Sequence, residues 1–242
     1  DLINVGGSAE LLATGSGRGG LVQVGGSWQN TDQRVRQATQ TWMQQGSTVD
    51  ASSTGSGDGG TIVIWSDLSN PSGGTIAQGA LLARGGPDGG DGGRIETSGP
   101  YLIAMPESLD LSAPRGQGGD WLLDPFNLTI FPDSSSTPGG TNFSAAGDDS
   151  LWTSISDDAG VRVGDIKSQL ANGSNVRLLT GQGTTNQGGN IVWQAGADLD
   201  FSRNAITNAV TTTNLTLDAS GYIQLNSNIT TGSGGLTLKA DA

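Results

Sequence analysis

The chain has 242 residues, of which 41 are glycine, and it carries a net charge of −12 with neither cysteine nor histidine. The charge argues against a protein that tracks nucleic-acid phosphates, because that role needs a basic surface, and the missing residue types exclude a disulfide framework and a zinc site of the usual kind. Since the 33% of apolar residues come in short alternating runs, the composition favours an all-β protein with many turns over a disordered chain.

The N-terminal residues contain the clearest repeat. The segment 2–8 (LINVGGS) returns at 21–27 (LVQVGGS), an interval of 19 residues, with a further strand-like run between them. Two or three short strands, each ended by a tight turn, would bring the chain back one strand spacing of about 4.8 Å above its start. The repeat therefore predicts coils of a parallel β-helix, with Val22 and Val24 pointing inward and Gln23 outward.

The sequence begins directly in this strand-like pattern, without the charged and apolar regions of a signal peptide. No apolar run approaches the roughly 20 residues that span a bilayer. We therefore expect neither a signal peptide nor a membrane span in this sequence, and we interpret it as a segment of a longer protein.

Residues 29–47 interrupt the repeat with few glycines and many glutamines. Val35, Ala38 and Trp42 are spaced at i, i+3 and i+7, so the segment is expected to be a short amphipathic helix or a strand pair that projects from the coils. In the alternative interpretation it is a cap that packs Trp42 and Met43 against the coils.

The same insertion supplies the candidate ligand-binding residues. Insertions in repeat proteins lie on one face, which is often the binding face. An indole ring can stack on a sugar ring. The candidates are therefore Trp28, Arg34, Arg36 and Trp42.

Double glycines followed by a strand-like run recur farther along the chain. The copies are 55–64 (GSGDGGTIVI), 90–97 (GDGGRIET) and 116–123 (GQGGDWLL). Each double glycine predicts a corner where the chain turns sharply, often with positive φ, and where stacked coils leave no room for a side chain. In the first copy Ile62 and Ile64 are expected to point inward and Val63 outward.

The pattern divides the chain into three parts. Residues 1–131 are predicted to form coils, with the insertion at 29–47. Residues 132–150 are rich in serine, glycine and proline, which predicts a loop or hinge. Residues 151–242 are predicted to continue the coils. Within the last part, residues 165–170 predict a short helix that ends at Asn172 and Gly173.

Four aspartates and one glycine-rich stretch have some features of catalytic or metal sites, but ordinary turns account for them. Asp88, Asp91, Asp120 and Asp124 lie near successive corners and could supply a carboxylate pair for glycoside chemistry, but each stands near glycine or proline, where aspartate commonly forms turns. The stretch 85–91 resembles a calcium-binding repeat in composition and departs from it in spacing. No catalytic residue, metal or cofactor is therefore predicted.

The tryptophans divide into two groups. Trp65, Trp121 and Trp193 each fall within a strand after a double glycine, and Trp121 and Trp193 in particular are expected in the core. Trp28 and Trp42 border the insertion and are better candidates for exposure.

Several of these phrases together resemble a known family. The phrases at 25–29 (GGSWQ), 57–67 (GDGGTIVIWSD), 89–93 (GGDGG) and 121–125 (WLLDP) are similar to those of filamentous-haemagglutinin-like exoproteins, large adhesins that Gram-negative bacteria export by two-partner secretion. The resemblance implies a right-handed parallel β-helix within a long surface fibre, and it carries over no catalytic residue.

From the resemblance we expect a structural and adhesive segment of a secreted, cell-surface protein that attaches to glycans or to other cells. The full-length parent would also meet an outer-membrane transporter, and no nucleic-acid partner is expected. Two alternatives stay open, namely a carbohydrate-active β-helix enzyme and an inert stalk with no ligand of its own.

Overall fold

The structure is a computed structural model, and its description covers residues 1–135, 158–181 and 188–241. Apart from 132–135, the predicted loop or hinge at 132–150 lies outside these described residues, as do the first residues of the predicted coils at 151–242.

The protein is all-β, with one α-helix, α1 (Val163–Ala171), and one 3₁₀ turn (Trp28–Asn30) among the described residues. In chain order the strands are β1 (Leu2–Val5), β2 (Glu10–Leu12), β3 (Leu21–Val24), β4 (Gln40–Met43), β5 (Thr48–Asp50), β6 (Thr61–Trp65), β7 (Gly74–Ala77), β8 (Ala80–Leu82), β9 (Arg94–Ser98), β10 (Tyr101–Ala104), β11 (Ser108–Asp110), β12 (Asp120–Asp124), β13 (Asn127–Phe131), β14 (Asp158–Arg162), β15 (Asn175–Thr180), β16 (Ile191–Trp193), β17 (Leu199–Asp200), β18 (Leu215–Ala219), β19 (Ile223–Leu225), β20 (Ile229–Thr230) and β21 (Leu236–Ala240).

These strands form long parallel sheets that the chain visits in rotation. Within the described residues one sheet has eight strands, one has seven, one has four and one has two. β1, β4 and β7 are neighbours in the first, β3, β6 and β9 in the second, and β2, β5 and β8 in the third. A strand thus pairs with the strand three places later, which is consistent with a solenoid. The hand of the coil stays a prediction.

The register stacks apolar side chains in continuous columns. One column of the seven-stranded sheet runs through Val22, Ile62, Ile95, Trp121 and Val176. All but the terminal Val22 are fully or almost fully buried. The inward orientation predicted for Ile62 and Ile64 is confirmed, because both belong to the main core cluster, and Trp121 and Trp193 lie in that cluster as expected.

The double glycines stand where successive coils touch. A Cβ atom built on Gly93 would lie 2.7 Å from the carbonyl carbon of Gly59 and closer still to the carbonyl oxygen of Gly60, and one built on Gly119 would meet Gly93 in the same way. The predicted lack of room is therefore confirmed. Positive φ is not the reason here, since Gly60, Gly93 and Gly119 all lie outside the left-handed region.

The coil between β13 and β15 breaks the rotation. β14 pairs with both β10 and β13, so it lies between two strands that precede it in the chain. The segment that follows, α1, occupies the place that a strand of the four-stranded sheet takes in earlier coils. The helix predicted at 165–170 is confirmed, and Gly173 ends it with φ of +99°.

Only part of the predicted insertion at 29–47 lies outside the sheets. Residues 40–43 form β4, which pairs in register with β1 and β7 inside the eight-stranded sheet. The helix that the spacing of Val35, Ala38 and Trp42 suggested is absent from the described residues 29–47, where the only helical element is the 3₁₀ turn. The helical spacing was misleading because pairing with two neighbouring strands fixes residues 40–43 as extended chain.

Candidate functional site

The loop between β3 and β4, residues 25–39, crosses the outer face of the seven-stranded sheet, and we call it the clasp. Gly26 lies against the indole ring of Trp65 so closely that a Cβ atom would overlap the ring. The indole N–H of Trp65 donates a hydrogen bond to Oε1 of Gln37 at 3.0 Å. Trp65 is consequently 1% exposed although it points away from the core, and Val63 beside it is fully buried.

Trp28 is held on the clasp by a charged neighbour. The guanidinium carbon of Arg94, on β9, lies 4.4 Å from the centroid of the Trp28 ring. Such a cation–π contact contributes about 0.5–1 kcal/mol at an exposed site. One face of this half-buried indole is therefore covered, and a ligand would meet the other face or displace Arg94.

Arg34 and Arg36 are the most exposed of the candidate residues, with 90% and 83% of their side chains accessible. Arg34 forms a two-point ion pair with Asp32, with N–O distances of 2.9 and 2.8 Å, and this lowers the pKa of Asp32 to about 2. Arg36 pairs with the carboxylate of Asp1. Exposed pairs of this kind contribute little to stability, so both guanidinium groups are accessible for exchange with an anionic ligand.

Trp42 lies elsewhere. It belongs to β4 and packs on the outer face of the eight-stranded sheet against the cluster of Ile76, Tyr101 and Ile103. The structure thus places Trp28, Arg34 and Arg36 on the clasp and Trp42 on a different sheet. The four candidate residues are thus divided between a loop and a strand, because β4 is part of the sheet and not of the loop, and ligand binding by them stays a prediction.

Glu96 is the functional candidate that the sequence did not reveal. Its side chain is fully buried under the clasp, where Oε2 accepts a hydrogen bond from the backbone N–H of Gln29 at 2.8 Å and Oε1 accepts one from the hydroxyl of Ser98 at 3.0 Å. Burial raises the pKa of Glu96 to about 7, against the effect of these two hydrogen bonds. A carboxyl group is therefore poised to change charge near neutral pH.

Asp124, on the neighbouring strand β12, is a second carboxyl group with a raised pKa. It pairs in register with Ser98, so Asp124 and Glu96 lie on the same outer face. Burial raises the pKa of Asp124 to about 7, and the nearby Arg177 opposes that rise. The charge of Asp124 also disfavours the ionisation of Glu96, since like charges repel.

The other aspartates considered for catalysis join neighbouring coils. Oδ1 of Asp91 accepts the backbone N–H of Gln117 at 2.8 Å, and Oδ1 of Asp120 accepts the side-chain amide of Asn175 at 2.9 Å. Asp88 is an exposed turn residue. These hydrogen bonds connect the corners of successive coils, so Asp91 and Asp120 have a structural role.

These buried carboxyl groups predict an unusual pH dependence of stability. Burial also raises the pKa of Asp165, at the start of α1, to about 6. Because the folded-state values lie above those of the unfolded chain, their stabilising effect is fully present below about pH 4 and is lost as the pH rises to about 7. We expect the free energy of unfolding, measured by urea denaturation, to be about 3–6 kcal/mol higher at pH 5 than at pH 8, with the lower end allowing for the partial exposure of Asp124 and Asp165.

A double variant with Glu96→Gln and Asp124→Asn provides the control for this pH dependence. Its unfolding free energy should change by only about 1 kcal/mol from pH 5 to pH 8, because the two groups with the largest shifts no longer titrate and only Asp165 still contributes. A wild-type protein that is equally stable at both pH values, or more stable at pH 8, would contradict the buried environment of these carboxyl groups.

No three carboxylates in 1–135, 158–181 and 188–241 converge closely enough to hold a metal ion. Across the same ranges, no helix has the length and apolar character needed to cross a membrane.

Comparison of the sequence with protein-family models finds no matching family, and comparison with curated proteins finds no significant match.

Proposed function

We propose that this chain is a right-handed parallel β-helix that serves as a structural and adhesive segment of a secreted, filamentous-haemagglutinin-like surface protein of a Gram-negative bacterium. The observation that carries the proposal is the stacking of parallel strands in register over the described residues. Each added coil extends such a rod by about 4.8 Å while its outward side chains stay accessible.

The mechanism is geometric. Corners without side chains let the coils stack closely, and the aliphatic columns resist bending, so the rod holds its outer surface away from the cell. The clasp departs from the regular coils on that surface, and it carries Trp28, Arg34 and Arg36. We propose that these residues contact a surface glycan, with the indole facing a sugar ring and the guanidinium groups facing anionic substituents. In the full-length parent, export would use an outer-membrane transporter.

A glycan array tests this function with the 242-residue chain. We expect binding to anionic glycans that weakens about tenfold when Arg34 and Arg36 are both changed to alanine, which corresponds to about 1.4 kcal/mol. The matched control is Arg203→Ala, an exposed arginine outside the clasp, which should bind as the wild type does.

Two results would overturn the adhesive proposal. Absence of binding to any glycan would leave the inert stalk. Release of reducing ends from a polysaccharide, abolished by Asp124→Asn, would instead establish the carbohydrate-active enzyme.

A further inference from the structure

We propose that the clasp is a pH-sensitive cover that lifts from the seven-stranded sheet when Glu96 ionises. The inference does not depend on glycan binding, since it concerns an equilibrium between two positions of residues 25–39 in the free protein. It stands on the burial of one carboxyl group, on the contacts that hold the loop over it and on the backbone conformation of that loop.

The first step is the environment of the carboxyl group. Glu96 lies on the outer face of β9, where a side chain would ordinarily reach solvent, and the clasp reduces its exposure to zero. Its side-chain hydrogen bonds come from the backbone of Gln29 and the hydroxyl of Ser98. An ionised carboxylate in such a place loses its hydration and gains two hydrogen bonds in return, so burial favours the neutral form.

The second step is the strain in the clasp. Gln29 and Asn30 both have positive φ, +46° and +51°, and neither is glycine. Two consecutive residues in the left-handed region are unfavourable unless surrounding contacts hold them. Here the hydrogen bond from Gln29 to Glu96 is one of those contacts, so the clasp is held closed against its own backbone preference.

The third step is the charge around the site. The groups that act on Glu96 are Asp124 from β12, which disfavours ionisation, and Arg94 from its own strand, which favours it. Arg177 on β15 acts mainly on Asp124. The clasp itself contributes two ion pairs, between Asp32 and Arg34 and between Arg36 and Asp1. Arg94 also lies over the ring of Trp28, so its positive charge offsets only part of the negative charge of an ionised Glu96.

These steps determine the direction of the response. With the clasp closed the pKa of Glu96 is about 7, and with the clasp open and the carboxyl group hydrated it returns towards the ordinary value of 4.5. Opening is therefore favoured as the pH rises, up to a limit on the order of 300-fold for a shift of this size. An open clasp exposes Trp65, Val63 and Glu96, and it releases Trp28 from Arg94.

Hydrogen exchange measured by mass spectrometry tests the inference on the intact 242-residue chain. After correction for intrinsic exchange rates, we expect protection of residues 25–39 to fall on the order of 50-fold between pH 5 and pH 8.5. Residues 121–123 in the core report global unfolding, so their protection falls only with the overall stability and should stay well above that of the clasp at both pH values. Tryptic cleavage after Arg34 and Arg36 at pH 8.5, relative to cleavage after Arg203, gives an independent readout of opening.

Two variants make the test specific. Glu96→Gln is neutral at every pH and can still accept the hydrogen bond from Gln29, so its clasp should stay protected at pH 8.5 and be cleaved more slowly than the wild type. Glu107→Gln is the matched control, because Glu107 also accepts a backbone N–H from an earlier coil, that of Gly46 at 3.0 Å, and it is exposed. It should retain the wild-type pH dependence.

The inference is overturned if clasp protection in the wild type does not change between pH 5 and pH 8.5. It is also overturned if Glu96→Gln shows the same pH dependence as the wild type. Should Glu96→Gln fail to fold, the wild-type profile with its core reference still decides the matter. Loss of glycan binding has no bearing on either outcome.

Discussion

Replacement of Gly93 by alanine is expected to remove about 3 kcal/mol or more from the free energy of unfolding. The added Cβ atom would overlap the carbonyl groups of Gly59 and Gly60 in the preceding coil. These are backbone atoms, which cannot move aside as a flexible side chain could. The spacing between two coils would have to increase at that corner, and the hydrogen bond from Arg94 N–H to Gly60 O, 2.9 Å long, would lengthen with it. Urea denaturation followed by circular dichroism measures the loss.

Gly6→Ala is the matched control for this substitution. A Cβ atom on Gly6 would meet no atom within 4 Å, and the residue lies outside the left-handed region. Its stability should stay within about 0.5 kcal/mol of the wild type. If both variants were equally stable, the glycines would not be needed for close approach and the stacked-corner interpretation would fail.

Trp121→Ala is expected to lower the free energy of unfolding by about 3–5 kcal/mol. The indole is fully buried in the column between Ile95 and Val176, and its N–H donates to the hydroxyl of Thr97 at 3.2 Å. Truncation removes most of the buried apolar surface at this level of the core and leaves a cavity that the rigid strands on either side cannot close. The hydroxyl of Thr97 would also lose its donor.

Trp28→Ala is the control for the effect of position, because it removes the same type of side chain from the clasp and not from the core. Because Trp28 is half-buried and its cation–π contact is worth about 0.5–1 kcal/mol, the loss should be roughly 1 kcal/mol. Equal losses for the two variants would contradict the assignment of Trp121 to the core. The same denaturation measurement serves for both.

Much of the fold follows from local pattern in the sequence. Glycine doublets before alternating aliphatic residues mark the corners, and Ile62 and Ile64 show their inward orientation through the two-residue period of a strand. Trp121 and Trp193 follow the same rule. These features depend on neighbours close in sequence or on a repeat that the sequence displays.

The candidate site could be predicted only in part, because it depends on contacts between distant segments. The alternation in β9 correctly turns Glu96 away from the core, and it carries no information that residues 25–39 will cover that face. For the same reason Val63 and Trp65 point outward and yet are buried. Arg34 and Arg36 are recognisable as candidates because the segment that carries them interrupts a glycine-rich repeat, a signal that lies within the loop itself.

The position of β14 affects how this protein reaches its native state. β13 leaves the ribosome before β14 but cannot rest on β10, because β14 must come between them. Folding that adds one coil after another from the N-terminus would therefore stop at β13. Either β14 pairs with β10 before β13 takes its final place, or β13 and β14 pair first and dock together. We therefore expect the addition of these two strands to be the slow step of folding.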